Sequence, residues 1–393
     1  MALSQLLGKG LARIDWIRSR MALLAETRQM FAQSQPFAGR TIGVSLHLEP
    51  KTAVLLETLT SGGAKIVGTG NLGSTQDDVV EALRSWGMTI YGQRDSSPQE
   101  HLDNVKKVVR AKPDLLLDNG ADLTAIAVDT GLAGSIRGGT EETTSGDDRL
   151  RSELEDKVQF PILVINDSPL KRIVENQHAV GQGNVESIMR MTNLMINGRR
   201  FVVLGYGWCG RGMAQYIRAF GGQVAVVETD PIKQLEAVMD GFRVGTLDAF
   251  APWGQFFCTA TARENVVGRE AFAKMASGAV LANSGHFPTE IDTAALRADA
   301  MAVRQMGPSI EEFEMADGRR LILLAEGRMI ELAGTEPKGN SIEAMDLGFM
   351  LQALCLQRVN DLPESLVAGP QAVPRDINRT IASSMVAGFA PDI

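Results

Sequence analysis

RFVVLGYGWCG, residues 200–210, decides how this chain is read. Phe201 to Leu204 form a short continuous apolar run, as expected of a strand buried on both faces. Gly205-Tyr206-Gly207-Trp208-Cys209-Gly210 follow at once, and Met213 to Phe220 have helical spacing. QVAVVE, ending at Glu228, is the next expected strand. A G-x-G-x-x-G pattern alone is a weak signal, but here a strand precedes it, a helix follows it, and an acid closes the next strand at about 20 residues' distance. In that context Gly205 permits the tight turn, Gly207 lets a pyrophosphate approach the backbone, and Gly210 lets the helix pack closely on the strand. The helix start offers free N–H groups to phosphate. Glu228 can accept from both hydroxyls of a ribose and would repel a 2′-phosphate. NAD, rather than NADP, is the expected cofactor, with Lys233 near the ribose end opposing that preference slightly.

Outward from this unit, strands and helices alternate. Towards the N-terminus, RTIGVSL (residues 40–46), AKIVGTG (64–70), MTIYG (88–92), DLLLDNG (114–120) and PILVIN (161–166) read as strands, with helical spacing between the earlier ones. Gly62-Gly63 closes the first of those helices, since glycine supplies the left-handed turn that a helix end favours. Downstream, FFCTAT (256–261) and AVLANSG (279–285) are further strands, and Asp317-Gly318 between alternating residues marks a hairpin. The expected fold class is α/β, with two doubly wound parallel-sheet domains and a cleft between them. The expected division is a substrate-binding domain over 1–176, a Rossmann domain over 177–335, and a helical segment over 336–393 that returns to the first domain.

Composition bounds the function. The chain has 393 residues, 44% of them hydrophobic and 22% charged, ample for two cores. A net charge of -8 with no Lys/Arg block argues against nucleic acid or an anionic membrane as partner, leaving a small-molecule substrate. Cys209, Cys258 and Cys355 are far apart and form no metal pattern, so no metal is expected. The N-terminal stretch reads as an amphipathic helix and no apolar run is long enough for a membrane span, so a cytoplasmic location is expected.

Several further segments occur together: SLHLEPKTAVLLETL, GSTQD, LLLDNGADLT, IRGGTEETTSG, VINDSPLK, GYGWCGRGMAQ, ETDP, NSGHF and DGRRLILLAEGR. Their order and spacing resemble those of the S-adenosylhomocysteine hydrolase family, from about Ala12 to about Val386. The resemblance implies a substrate domain, an inserted NAD domain and a homodimer or homotetramer. It also implies a chemistry that explains NAD in a hydrolase. Transient oxidation of the substrate's 3′-hydroxyl to a ketone makes the neighbouring C4′–H removable. The thiol at C5′ is expelled, water adds, and the ketone is reduced again.

Residue by residue, the resemblance implies that Lys171 lies beside the oxidised hydroxyl and that Asn166 accompanies it. Glu142 matches a substrate-contacting glutamate, and Thr143, Thr144 and Ser145 match three NAD-contacting hydroxyl residues. Asn176 and His286 match residues near the nicotinamide, Asn283 belongs to the same NSGHF segment, and His47 matches a residue proposed for proton transfer. Trp208 and Cys209 fill the glycine loop. His101 is expected to face solvent.

The departures are specific. Glu175 stands where the family has the aspartate that partners Lys171. Asn119 stands where the family has a catalytic aspartate, so the base there is lost unless Asp118 or His178 replaces it. The family's H-x-T-x-E becomes His47-Leu48-Glu49-Pro50-Lys51, which alters two residues associated with adenine recognition. Glu331 replaces an asparagine near the cofactor. The family's C-terminal Lys and Tyr have no counterpart, which implies looser NAD retention. The resulting expectation is an NAD-dependent, adenosylhomocysteinase-like hydrolase or lyase with redirected specificity. The alternatives are a sugar or nucleoside oxidoreductase or epimerase, and an NAD-binding regulatory paralogue without catalysis.

Overall fold

A computed structural model describes residues 3–154, 156–285 and 288–390. The chain forms two compact units, one comprising residues 1–172 and 342–393, the other residues 173–341.

The first unit is built on β1 (Thr41–Leu46), β2 (Lys65–Gly70), β3 (Thr89–Tyr91), β4 (Leu115–Asp118), β5 (Gly138–Glu141) and β6 (Pro161–Val164). The second contains β7 (Arg200–Leu204), β8 (Gln223–Val227), β9 (Arg243–Gly245), β10 (Phe256–Thr259), β11 (Ala279–Asn283), β12 (Ala300–Gly307), β13 (Ile310–Met315) and β14 (Arg320–Leu324). A last strand, β15 (Gly369–Ala372), belongs to the first unit's sheet.

In the first unit the strand order is β15-β6-β5-β4-β1-β2-β3, with every pairing parallel. The chain runs outward from β1 to β3, then restarts at β4 on the other side of β1. Between β1 and β4 the direction of winding reverses, and in such sheets ligands bind beyond the carboxyl ends of the strands at that point. The sequence predicts a helical chain beyond Ser341. The long helix Ile342–Asp361 is indeed buried along most of its length, but β15 then pairs with β6 at the sheet edge. Four residues containing Pro370 give little strand signal, and an edge position tolerates the proline.

The second unit repeats the scheme as β14-β11-β10-β7-β8-β9, all parallel, with its switch point between β7 and β10. Antiparallel β13 and β12 extend the β14 edge, and Asp317-Gly318 turns between β13 and β14, in agreement with the hairpin signal. The apolar run in β7 has a direct cause. Phe201 and Val203 enter one core, with Met213 and Ile217. Val202 and Leu204 enter the other, with Phe257 and Leu281. A strand that serves two cores cannot alternate with polar residues.

The boundary between the units falls inside a π-helix, Lys171–Ala179, continued by the α-helix Val180–Thr192. Short π segments inside helices occur frequently at functional sites, and this one carries Lys171, Glu175 and Asn176. Among the described residues, no helix is long and apolar enough to cross a membrane.

Candidate active site

In the first unit, polar side chains converge just beyond the ends of its parallel strands. His47 follows β1, and its Nδ1 lies 2.6 Å from the Ser74 hydroxyl on the loop after β2. Asn71, on that loop, donates from Nδ2 to Asn119 Oδ1 at 2.9 Å. Asn119, after β4, donates from Nδ2 to Glu142 Oε2 at 3.0 Å. The other carboxylate oxygen of Glu142, just after β5, lies 3.7 Å from Lys171 Nζ. Asn119, Glu142 and Lys171 are 2%, 7% and 5% exposed, so this polar chain is held almost without water. Asn166, after β6, is also buried, and its carbonyl accepts from Arg172 Nε.

Glu49 and Lys51 flank Pro50 at the start of the helix Pro50–Ser61. Lys51 Nζ lies 2.7 Å from Glu49 Oε2, and both side chains are buried. Burial raises the Glu49 carboxyl above its usual range. Lys51 and Arg13 oppose that rise, and the Glu142 carboxylate adds to it.

Asp118 does not supply the base that Asn119 lacks. Its Oδ1 accepts from Asn119 N and Leu123 N, and its Oδ2 from Thr124 N and Thr124 Oγ1, all within 3.1 Å. It is a buried anchor for the start of the helix Asp122–Asp129. Glu141 does similar work: it accepts from Gly120 N, Ala121 N, Thr143 N and Thr143 Oγ1. Burial raises both carboxyls, and the negative charge of Asp118 adds to the effect for Glu141. Thr143 Oγ1 also accepts from Gly146 N, capping the helix Thr144–Ser152. Ser145 Oγ lies 3.1 Å from it, and Thr144 is exposed. Asn71, Ser74 and Glu141 have no role assigned from sequence. The signals were present, since Ser74 lies in GSTQD and Glu141 immediately precedes Glu142.

In the second unit the glycine loop fits a dinucleotide. Gly205 adopts φ +94, and a Cβ there would lie 2.5 Å from the Ala260 carbonyl oxygen. A Cβ on Gly210 would lie 2.0 Å from the Gly205 carbonyl oxygen, so only glycine allows this strand–helix approach. A Cβ on Gly207 would meet nothing within 4 Å. Its missing side chain is explained by no protein neighbour, which is what close approach of a phosphate requires. Gly207 caps the helix Trp208–Ala219, whose first turn presents N–H groups to that space. Trp208 is partly exposed with Arg211 over its ring, and Cys209 is half-buried.

Glu228 follows β8 and accepts from Tyr206 N at 2.7 Å, Thr229 N at 2.6 Å and Asp230 N at 3.0 Å. Burial opposes its charge, but these three donors and the Lys233 ammonium outweigh it and hold the carboxyl below its usual range. Glu228 is thus an anion that also shapes the glycine turn. Asn283 is fully buried. Its Oδ1 accepts from Thr259 Oγ1 and Gly285 N, and its Nδ2 donates to the Gly327 carbonyl, which ties three strand ends together. Glu290, unmarked in the sequence, accepts from Thr261 N, Thr261 Oγ1 and Ala262 N and fixes the loop after β10.

Glu331 is buried, with Oε2 3.5 Å from Asn184 Nδ2. Glu175 is also buried and accepts from Asn340 Nδ2 at 3.4 Å, while Asn176 is half-buried on the π-helix. His178 lies with Nδ1 3.4 Å from the Tyr216 hydroxyl. His101, expected to face solvent, is instead largely covered, with Nε2 3.6 Å from Asp122 Oδ2. His286 lies outside the described residues.

Comparison with known proteins identifies the family. Residues 176–336 match the family model described as S-adenosyl-L-homocysteine hydrolase, NAD binding domain. Residues 4–132 match the model described as S-adenosyl-L-homocysteine hydrolase. The chain belongs to the S-adenosyl-L-homocysteine hydrolase family. NAD is accordingly the cofactor of its second unit. Relatives in this hydrolase family carry two different names. The S-inosyl-L-homocysteine hydrolase of Methanopyrus kandleri is 41% identical over 380 residues, covering 95% of this chain and 89% of that protein. The adenosylhomocysteinase of Pyrococcus abyssi is 41% identical over 378 residues, with the same shares covered. The adenosylhomocysteinase of Archaeoglobus fulgidus is 38% identical over 389 residues, covering 98% of this chain and 95% of that protein. Neither the oxidoreductase nor the regulatory alternative gains support from membership of the S-adenosyl-L-homocysteine hydrolase family.

Proposed function

We propose that this protein hydrolyses the thioether of an S-nucleosyl-homocysteine, releasing a nucleoside and a free thiol, with NAD as a resident cofactor. The observation that carries this reading is the buried array Asn71–Asn119–Glu142–Lys171 at the carboxyl ends of the first unit's strands. The glycine loop, the start of the helix Trp208–Ala219 and Glu228 are the groups that hold the dinucleotide. When bound, NAD supplies reversible oxidation of the sugar's 3′-carbon, which acidifies the neighbouring C4′–H.

The chain's own residues move the protons. Lys171, steadied by Glu142, takes the proton of the 3′-hydroxyl as that carbon is oxidised and returns it at the end. His47, whose ring is fixed at Nδ1 by Ser74, removes the C4′ proton and protonates the departing sulfur. The C5′–S bond breaks in that step, and water then adds at C5′. One water is consumed and one thiol is formed. Asn119 orients Glu142 and takes no proton, because a neutral amide is too weak a base to hold one near neutral pH.

The test is release of free thiol from purine-nucleoside thioethers of homocysteine by the NAD-loaded protein. Lys171→Ala should lower the rate about 10²–10⁴-fold while NAD binding is retained. Absence of thiol release from both the adenosyl and the inosyl thioether would overturn the reading.

A further inference from the structure

The hydrogen bonds of the buried array run in one direction. A carboxylate facing an ammonium only accepts, and Glu142, with Lys171 at 3.7 Å, is such a group. Asn119 therefore turns its amide nitrogen to Glu142, at 3.0 Å, and presents its carbonyl oxygen on the other side. That oxygen takes the amide nitrogen of Asn71 at 2.9 Å. What remains at the end of the relay is Asn71 Oδ1, an acceptor. Turning over Asn119 would set like groups against each other at both of its contacts, and turning over Asn71 would do so at one.

Asn71 is 8% exposed, and its Oδ1 is buried with no donor among the described residues. The backbone around it is engaged. Its N–H donates to the Leu46 carbonyl at 3.0 Å, and its carbonyl accepts from Ser74 Oγ at 3.2 Å and Thr75 Oγ1 at 2.9 Å. A buried carbonyl oxygen without a donor is costly, so a rigid one beside a substrate site suits a donor that arrives with the reaction. Ser74 connects this oxygen to the chemistry, because its hydroxyl also lies 2.6 Å from His47 Nδ1. With its own proton given to the Asn71 carbonyl, that hydroxyl accepts from Nδ1–H. Nε2 of the neutral ring is then the base.

Addition of water needs a base and a second acceptor. Water attacks C5′ through a lone pair while one proton goes to the base and the other stays on the product hydroxyl. A base alone leaves the water able to turn about a single hydrogen bond. We propose that Asn71 Oδ1 orients the water that adds at C5′, accepting its retained proton while His47 Nε2 takes the other. The proposal rests on the hydrolase reading and assigns a residue to its second half. His47 has by then delivered the C4′ proton to the departing sulfur, so its ring can accept again. As the O–C5′ bond forms, the electron pair of the C4′–C5′ double bond moves to C4′, which takes the proton from His47. One O–H bond of water is broken, and one C–O and one C–H bond are formed. A thiol adding at the same carbon has a single proton, gives it to His47 and needs no second acceptor.

The experiment gives the full NAD-loaded chain a 4′,5′-didehydro purine nucleoside, of the adenosine and inosine types in turn, together with L-homocysteine. It measures the ratio of hydrated nucleoside to thioether formed. Asn71→Leu and the smaller Asn71→Ala should shift that ratio towards thioether at least about tenfold, the loss expected of a hydrogen bond that only water uses. Asn71→Asp, which keeps an acceptor, should stay close to the native ratio. A ratio of products does not depend on how much protein is folded, and a residue that only shaped the site would slow both additions alike. An unchanged ratio in Asn71→Leu and Asn71→Ala, or a shift in Asn71→Asp as large as theirs, overturns the proposal and leaves the hydrolase reading standing. Formation of neither product by the native chain sinks both.

Discussion

The Asn119 amide donates to Glu142 at 3.0 Å while its own carbonyl accepts from Asn71 at 2.9 Å. An aspartate at 119 would keep the second bond but replace the first with two facing carboxylates. Asn119→Asp should therefore cost about 1–3 kcal/mol of stability at neutral pH, the range for a buried polar group deprived of its partner. The repulsion raises the folded-state proton affinity of the pair, so the cost is largest at high pH and shrinks as pH falls towards about 4, the ordinary carboxylate range. Denaturant unfolding of both proteins at about pH 4.5 and about pH 8, on either side of that range's upper limit, measures it. A cost independent of pH would contradict this account of Asn119.

The glycine loop separates binding from folding. Gly207→Ala meets no protein atom, and φ is -69, which alanine adopts readily. Its stability should change by no more than about 1 kcal/mol, since lost N-cap preference and reduced chain entropy oppose each other. Its NAD affinity should fall sharply, because the new methyl occupies the phosphate's approach. Gly205→Ala is the contrast: left-handed backbone and a 2.5 Å contact with the Ala260 carbonyl destabilise the fold itself, by about 1–3 kcal/mol. Thermal melts with and without added NAD distinguish the two. Undiminished NAD stabilisation of Gly207→Ala would place the pyrophosphate elsewhere.

Glu228 sets cofactor choice. Its carboxylate stays ionised, held by three backbone donors, so a 2′-phosphate would meet a negative charge. NAD should bind more tightly than NADP by calorimetry, and Glu228→Ala should weaken NAD by about 1–3 kcal/mol. Equal binding of the two nucleotides by the native chain would contradict this role, and Lys233 would then be the residue to change next.

Asp346 gives the first unit a pH dependence unrelated to catalysis. Burial raises its carboxyl to about 6, although the Leu24 and Leu23 amides, donating at 2.8 Å, partly offset the rise. In the unfolded chain the same group ionises near about 3.9. Between these values the folded protein retains a proton that the unfolded chain has lost. This contribution is therefore full below about pH 4 and lost as pH rises through about 6. The difference corresponds to about 3 kcal/mol. Asp346→Asn carries no such titration, and the native chain should lose about that much relative to it between about pH 4 and about pH 7. Parallel stability profiles would show that Asp346 does not titrate in this range.

Both switch-point folds and the cofactor are legible in the sequence, because local geometry governs them. Apolar runs such as Phe201–Leu204 form strands, glycines at 205 and 210 are dictated by φ and by backbone contact, and Glu228 ends the strand that carries it. Most of the candidate site, from His47 to Lys171, is legible by resemblance. How those side chains are used emerges only when the chain folds. Asp118 looks like a spare base in the sequence, but the helix that follows it consumes both oxygens. Asn283 looks like a cofactor ligand, but it braces strand ends from full burial. Glu290 and Asn71 are unmarked in sequence because their importance comes from partners 28 or more residues away. Glu49 and Lys51 appear in sequence as two altered residues. Only folding, which removes both from water and sets their charges 2.7 Å apart, makes them one buried ion pair. A polar side chain's role depends on which donors and acceptors reach it once water is excluded, and that is a property of the assembled sheet edge rather than of any one segment.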